Sequence, residues 1–460
     1  MRLHNTLSGT VEEFVPREEG RVGMYVCGPT VQGPPHFGHA RAVIVPDVLR
    51  RYLEWCGYEV FHVRNVTDID DKIIDRAREE DRHPAEVAEH YTRVWDEQIG
   101  ALRALAPHVV PRATGHIPEI LALIEQLLAR GHAYEAGGDV FFSVSSDPDY
   151  GKLSGRKPEE LRAGARIDPG EAKHDPVDFA LWKAAKAGEP SWPSPWGHGR
   201  PGWHIECSAM AAKYLGDGFD IHAGGVDLAF PHHENEIAQH ESGTGTPFAR
   251  YWLHNGLLTL DEGKMSKSVG NIIGLAEGIR RYGADTLRMF YLRADYRSPV
   301  EFSEERLQEA AAGLERLEAY LRMAGELTAE PAEGEARDDV DAFRRAMDND
   351  LATPQALAVL FDLVTRGHRH LEQGKDAEAA SVRDTVAELA GVLGFDPEAP
   401  DDDVSPLVEP LVEELLALRE DARGRKDFAT ADRIRDRLTE AGIVVEDTPA
   451  GARWHVARVR

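Results

Sequence analysis

The apolar positions near the start of the chain switch period twice. GMYVCG (23–28) is a short apolar run ending at Gly28-Pro29 and predicts a buried strand. PTVQGPP (29–35) then carries the punctuation of a tight, rigid turn. From His36 onward, HFGHARAVIVPDVLRRYLEWCG sets Val45, Val48, Leu49, Tyr52 and Leu53 on one face at helical spacing. Gly57 closes that helix, and YEVFHVRNVTD (58–68) reads as a second buried strand. Pro46, inside the helical pattern, predicts a kink or a restart. Strand, loop, helix, strand is one mononucleotide-binding half of a doubly wound sheet, so an α/β Rossmann-type domain is expected.

Further along, residues 84–133 look helical and GGDVFFSV (137–144) looks like a strand. The polar, Pro-rich stretch 145–202, with PSWPSPWGHGRPGWH, reads as irregular. A helix (IECSAMAAKYLG), a strand (FDIHAGG), a helix opening at PHHENEIAQH and a strand over YWLHNGLLTL (251–260) follow. From about 303 the pattern is nearly all helical, broken by acidic AEPAEGEARDD (329–339) and DPEAPDDDVSP (396–406). Those breaks isolate a helical module at about 340–395 and a small module at about 407–460.

Charge and composition narrow the class. The net charge of -27, from 80 acidic and 53 basic residues, argues against nucleic-acid binding by bulk charge. An RNA held by local basic patches and shape stays open. Three cysteines, Cys27, Cys56 and Cys207, cannot make a disulfide framework and suit a reducing cytosol. No apolar run approaches the roughly 18 residues of a membrane span, and the first residues lack a secretory h-region. A cytoplasmic protein without a membrane partner is expected.

Two short motifs carry candidate chemistry. His36 and His39 of HFGH lie three apart where the first strand hands over to a helix, so they could donate to phosphate oxygens beside free N–H groups. Gly38 removes a side chain where a purine would need close approach. Lys264 and Lys267 of KMSKS would form a cationic loop able to neutralise charge on a leaving pyrophosphate. Either string alone reads equally well as a capping turn or a solvated basic loop. A third set is Cys27, Cys207, His232 and Glu236: two sulfurs, an imidazole and a carboxylate, the last two four apart on PHHENE. They could make a tetrahedral zinc site, or be two inert core thiols and a surface pair.

HFGH and KMSKS, in this order, resemble the signature pair of class I aminoacyl-tRNA synthetases. GMYVCGPTV, RPGWHIECSAM and FPHHENEIAQ resemble the cysteinyl-tRNA synthetase family across nearly the full chain. The resemblance implies a Rossmann-type catalytic domain over 1–305, with an insertion at about 95–200 and the KMSKS region at about 255–275. A helical bundle over 306–395 and an anticodon-binding module over 407–460 would follow. It implies activation of L-cysteine with ATP and Mg2+, then transfer to tRNA(Cys), by a chain expected to be a monomer. ATP would meet Thr30, His36, Gly38, His39, Gly224, Gly225, Asp227 and Lys267. One Zn2+ would sit on Cys27, Cys207, His232 and Glu236, and Tyr25, Gly28, Thr67, Trp203 and His222 would line the cysteine pocket. Arg423, Asp432, Asp447 and Trp454 would read the anticodon.

Zinc makes physical sense here, because packing alone separates cysteine from serine by only roughly 1–3 kcal/mol. The turn departs from the family's TVYDxxHIGH, so no contact carries over to Gln32 or Gly33. Two other readings keep the same motifs: a cysteine ligase of mycothiol biosynthesis acting on glucosaminyl-inositol, and an inactive zinc-containing RNA-binding relative. A zinc hydrolase fits less well, since PHHENE is not HExxH.

Overall fold

The structure is a computed structural model. It describes residues 1–157, 172–260, 263–264, 274–332, 334–395, 405–425, 427–441, 443–448 and 451–456. Four parallel strands make the central sheet: β1 (Arg21–Val26), β2 (Glu59–Arg64), β3 (Phe219–Gly225) and β4 (Ala249–Asn255). Their order across the sheet is β4-β3-β1-β2. The chain therefore starts in the middle, moves outward through β2, and returns on the other side of β1 through β3 and β4. Open α/β sheets bind ligands beyond the strand ends at such a reversal. Here that crevice lies between β1 and β3, so it receives the residues that follow Val26 and those near Gly225.

Helix α1 (Phe37–Trp55) covers the sheet and buries Val45, Val48, Leu49, Tyr52 and Leu53 as their spacing predicts. It runs unbroken through Pro46, so the expected restart does not occur. Pro46 is itself buried, and packing along the helix outweighs the ~3 kcal/mol that an interior proline costs in isolation.

Other expectations need correction. The helical reading of 84–133 breaks between Pro84–Gly100 and Ile117–Ala129. The stretch read as irregular holds strands Phe179–Ala184 and Gly199–Pro201, which join Ala133–Ala136 and Asp139–Phe142 in an antiparallel sheet. Those strands are short, and their pairing partners lie far off in sequence. The single strand read over 251–260 divides, because Leu258–Leu260 leaves the central sheet to pair with Val300–Phe302.

The first acidic break does not isolate a module either. Helix Glu304–Gly325 buries Leu314, Leu317 and Tyr320 in one core with Leu357 and Leu360 of Thr353–Glu372, Val386 and Leu389 of Asp376–Val392, and Tyr52 of α1. Gly367 permits the closest of these contacts: a Cβ there would lie 2.2 Å from Tyr320 Cζ. The second acidic break lies mostly outside the described residues. After it, helices Ser405–Gly424 and Phe428–Glu440 and a two-stranded ribbon share a small core of Val412, Leu438 and Ile443.

One buried group predicts a pH response of the fold. Both ring nitrogens of His62 on β2 are buried without a partner, and burial, with Arg64 and Arg50 nearby, lowers its pKa to about 3. A depressed pKa adds stability that is complete above the unfolded value near 6.5 and is lost as pH falls toward 3. The slope is on the order of 1.4 kcal/mol per pH unit. A His62→Leu variant should therefore lose melting temperature more slowly than wild type between pH 6 and 4. Parallel curves in thermal melts at several pH values would refute this assignment.

Candidate functional site

The residues that follow β1 bring the two motifs of the crevice together. Cys27 N donates to Ala223 O of β3 at 3.0 Å, placing the Cys27 thiol at the switch point. Gly28 is forced by geometry, since a Cβ there would fall 1.6 Å from Asn65 O. Helix α2 (Trp203–Leu215) presents Cys207 from its first turns. Helix α3 (Glu234–Thr244) presents Glu236, and the wide turn Ala229–His233 before it presents His232. The sequence placed His232 and Glu236 on one helix; the structure puts His232 just ahead of it, still beside Glu236.

The four donor atoms lie within 4.8 Å of one another. Cys27 Sγ is 3.8 Å from Cys207 Sγ, the edge of about 3.8 Å that two thiolates make around tetrahedral zinc. Cys27 Sγ lies 3.5 Å from Glu236 Oε1, and His232 Nε2 lies 2.9 Å from the same oxygen. His232 Nδ1 is 2.9 Å from His204 Nδ1. That contact orients the ring and leaves Nε2 facing the cluster, as outer partners of metal-binding histidines do.

Electrostatics fit a cation. The Cys27 thiol donates to Cys207 and brings the Cys207 pKa down to about 7, while burial pushes Cys27 well up. Burial alone would raise Glu236, but His222 and His232 outweigh it and hold the carboxyl well below its usual range. One buried and one half-buried thiol, a buried imidazole and a buried carboxylate are a donor set consistent with zinc.

His233 and Glu206, both near the cluster, escaped the sequence reading, whereas His222 was expected in the cysteine pocket. Cys27, His222, His233 and Glu236 form a second group equally close, but it carries only one sulfur. His222 and His233 are also engaged, with Glu236 Oε2 at 2.8 Å and with His254 Nε2 at 2.8 Å. Glu206, one residue before Cys207, is fully buried. Helical spacing in PHHENE and WHIEC hinted at neither His233 nor Glu206, because buried polar groups are recognised only by their partners.

Around the cluster, His222 stacks on Trp252 at 4.3 Å and Trp203 stacks on His232 at 4.2 Å. Tyr25 is fully buried, and burial followed by Cys207 and Cys27 raises its hydroxyl pKa. Thr67 pairs with Thr30 across the loop, its N–H donating to Pro29 O at 3.0 Å. The structure thus brings Tyr25, Gly28, Thr67, Trp203 and His222 to one crevice.

HFGH caps α1 on itself. His39 N donates to the His36 ring, His36 N donates to His39 Nδ1 at 3.3 Å, and the rings stack at 3.7 Å. With Nδ1 accepting, the proton of neutral His39 sits on Nε2, a donor. Gly38 is close-packed, as a Cβ would lie 3.1 Å from His36 Cε1. Gly224 and Gly225 end β3, where a Cβ would meet His233 Cε1 at 2.8 Å and Asp227 Oδ1 at 2.5 Å respectively. Asp227 itself is exposed.

Lys267 and the Lys264 side chain lie outside the described residues, but the segments flanking them do not. Arg41 of α1, also missed in the sequence, is buried and donates to the carbonyls of Gly256, Leu257, Asp295, Tyr296 and Ser298 at 2.6–3.2 Å. Leu275 N donates to Pro35 O at 3.0 Å. The HFGH loop and the ends of the KMSKS region are thereby held to each other.

In the last module Arg423 and Asp432 are exposed, and Asp432 pairs with Arg435 at 3.3 Å. Trp454 is half-buried against the small core, so part of its ring serves packing. The Asp447 side chain lies outside the described residues. Among the described residues, no helix is long and apolar enough to cross a membrane.

Comparison with known proteins agrees with this layout. Residues 13–312 match the family model for the class I (C) tRNA synthetase catalytic domain. Residues 342–395 match the DALR domain, and 405–454 match the cysteinyl-tRNA ligase anticodon binding domain. A cysteine–tRNA ligase from Halorhodospira halophila is 52% identical, with all of both chains covered. One from Heliobacterium modesticaldum is 51% identical over 99% of this chain and 100% of its own. Among solved structures, Mycobacterium tuberculosis methionyl-tRNA synthetase with methionyl-adenylate shares the fold at TM-score 0.60 and 18% identity, covering 81% of this chain and 89% of that one. The sheet reversal, the matching family models and the full-length identity converge, and the chain belongs to the cysteinyl-tRNA ligase family of class I aminoacyl-tRNA synthetases.

Proposed function

We propose that this protein is a cysteine–tRNA ligase. A carboxylate oxygen of L-cysteine attacks the α-phosphorus of ATP and the bond to pyrophosphate breaks; a hydroxyl of the 3′-terminal ribose of tRNA(Cys) then attacks the cysteinyl carbonyl and AMP leaves. The observation that carries this reading is the Cys27–Cys207–His232–Glu236 cluster, three of its four residues buried, at the switch point that also bears HFGH. Bound there, zinc would supply a borderline-soft Lewis acid that prefers a thiolate to an alcohol.

The chain's own residues do the rest. Neutral His39 donates from Nε2 to the phosphates as charge builds, and His36 assists beside the helix N-terminus. Thr30 and Gly38 border the triphosphate, Gly224 and Gly225 admit the adenosine against backbone, and exposed Asp227 meets the ribose. Lys264 and Lys267 neutralise the departing pyrophosphate, with Mg2+ on the phosphates. Tyr25, Gly28, Thr67, Trp203 and His222 enclose the amino acid. Arg423, Asp432, Asp447 and Trp454 read the anticodon. The catalytic domain spans 1–305, the bundle 306–395 and the anticodon module 407–460. The reading extends to a cytoplasmic monomer, where the free thiols Cys27, Cys56 and Cys207 stay reduced.

Cysteine-dependent ATP–pyrophosphate exchange tests activation, and transfer to tRNA(Cys) against glucosaminyl-inositol names the acceptor. Absence of exchange from zinc-replete protein would overturn the proposal. A chain ending at residue 395 should keep exchange but lose kcat/KM for tRNA charging by about 100-fold, the scale of two lost base contacts. Undiminished charging would remove the module from anticodon reading.

A further inference from the structure

Arg64 is the last residue of β2 and is 6% exposed. Successive residues of a strand face opposite sides of the sheet. Val63 packs in one core with Tyr25 and Cys207, and Arg64 turns to the other side. There its guanidinium carbon lies 5.9 Å from the ring centre of Trp95, on helix Pro84–Gly100. That ring in turn stands edge-on to His39 of α1 at 5.2 Å. A Cβ on Gly28 would fall 3.4 Å from Arg64 Cγ. Arg64 thus stands between the residue that follows Cys27 and the second histidine of HFGH.

Its lack of partners sets it apart. The other buried arginines of the catalytic domain are all bonded. Arg41 donates to five carbonyls, and Arg50 to Glu54 and to Ala106 O. Arg200 donates to Asp71, and Arg288 to Asp47 and two carbonyls. Arg64 makes no side-chain hydrogen bond or ion pair among the described residues, and its Nε is buried without an acceptor. The indole N–H of Trp95 beside it is also buried without an acceptor. Burial pulls the Arg64 pKa below its ordinary value, against a longer-range attraction from Asp96. A guanidinium nonetheless stays charged near neutral pH and presents five N–H donors in a planar fork. An unbonded buried cation weakens the fold, so this fork calls for an explanation outside stability.

We propose that Arg64 binds the α-phosphate of ATP and keeps hold of it in the aminoacyl-adenylate. The inference rests on the cysteine–tRNA ligase reading, which puts the amino acid beside Gly28 and the triphosphate beside HFGH. The α-phosphate joins those two sides, because its phosphorus takes the carboxylate oxygen as the bond to pyrophosphate breaks. The β- and γ-phosphates depart, and Lys264 and Lys267 are assigned to them. A guanidinium can donate two parallel N–H bonds to the non-bridging oxygens of one phosphate. Those oxygens stay negative before and after the displacement, so the same contact serves ATP and adenylate.

AMP and adenosine differ only in that phosphate, and titration calorimetry of both tests the assignment. In full-length, zinc-loaded Arg64→Met, AMP should bind about 10- to 100-fold more weakly, the scale of hydrogen bonds to a charged group, with adenosine within about twofold of wild type. In pyrophosphate exchange kcat should fall about 100-fold, with KM for L-cysteine unchanged. Methionine is apolar and comparably long, so the melting temperature should hold or rise.

Equal weakening of AMP and adenosine would make Arg64 a general support of the crevice and overturn the proposal, as would no change in either. A raised KM for cysteine with AMP binding intact would move the fork to the substrate carboxylate and overturn it too. If Arg64→Met does not fold, Arg64→Lys keeps the charge without the fork, and its preference for AMP over adenosine should fall about 10-fold. Wild-type protein that prefers AMP to adenosine yet shows no cysteine-dependent exchange would instead sink the ligase reading.

Discussion

The Cys207→Ser protein is expected to lose its metal and, with it, most of its preference for cysteine over serine. Cys207 is 1% exposed and receives the Cys27 thiol proton, and its own pKa of about 7 makes it the readier thiolate of the pair. A serine hydroxyl in that place stays protonated and is a poor zinc ligand. Three donors would remain, and the closely packed carboxylate of Glu236 would then have only His222 and His232 to balance it.

With the metal gone, discrimination should fall to the roughly 10- to 200-fold that packing can supply for near-isosteres. The measurements are zinc per chain and the ratio of kcat/KM for L-cysteine and L-serine in pyrophosphate exchange. A Cys207→Ser protein with full zinc and an unchanged ratio would refute the metal-based account. Metal removal by a chelator should reproduce the variant, and restored zinc should reverse the loss in wild type alone.

His39→Ala is expected to act on the chemical step instead. Loss of one preorganised donor to developing charge costs about 100- to 1,000-fold in kcat. KM for cysteine and zinc content should not change, because His39 lies on α1 and the metal donors come from elsewhere. The variant also loses half of the capping arrangement with His36, worth about 1 kcal/mol of stability. A fall in melting temperature with an intact rate would confine His39 to the cap. Lys267→Ala should lower kcat on a similar scale, the consequence of its proposed role in neutralising the departing pyrophosphate.

Local features are legible in the sequence and long-range ones are not. HFGH and FDIHAGG were legible because strand, turn and helix periods are local, and a glycine at a strand end is a local demand. The split of 251–260, the strands at 179–184 and 199–201, and the helix through Pro46 were not legible. Each is decided by a partner far away in the chain, whose packing or pairing outweighs local propensity.

The sequence by itself determined the class of sheet, the handover from strand to helix at HFGH and, by resemblance, the family. It named four metal candidates but left their chemistry open, since two lone cysteines and a His/Glu pair are usually unremarkable. Only the tertiary structure decided that they meet, because 180 residues separate Cys27 from Cys207 and 209 separate Cys27 from Glu236. The same holds for Glu206 and Arg41. A buried polar side chain takes its meaning from the donors and acceptors around it, and those are set by how β1, β3, α1, α2 and α3 pack.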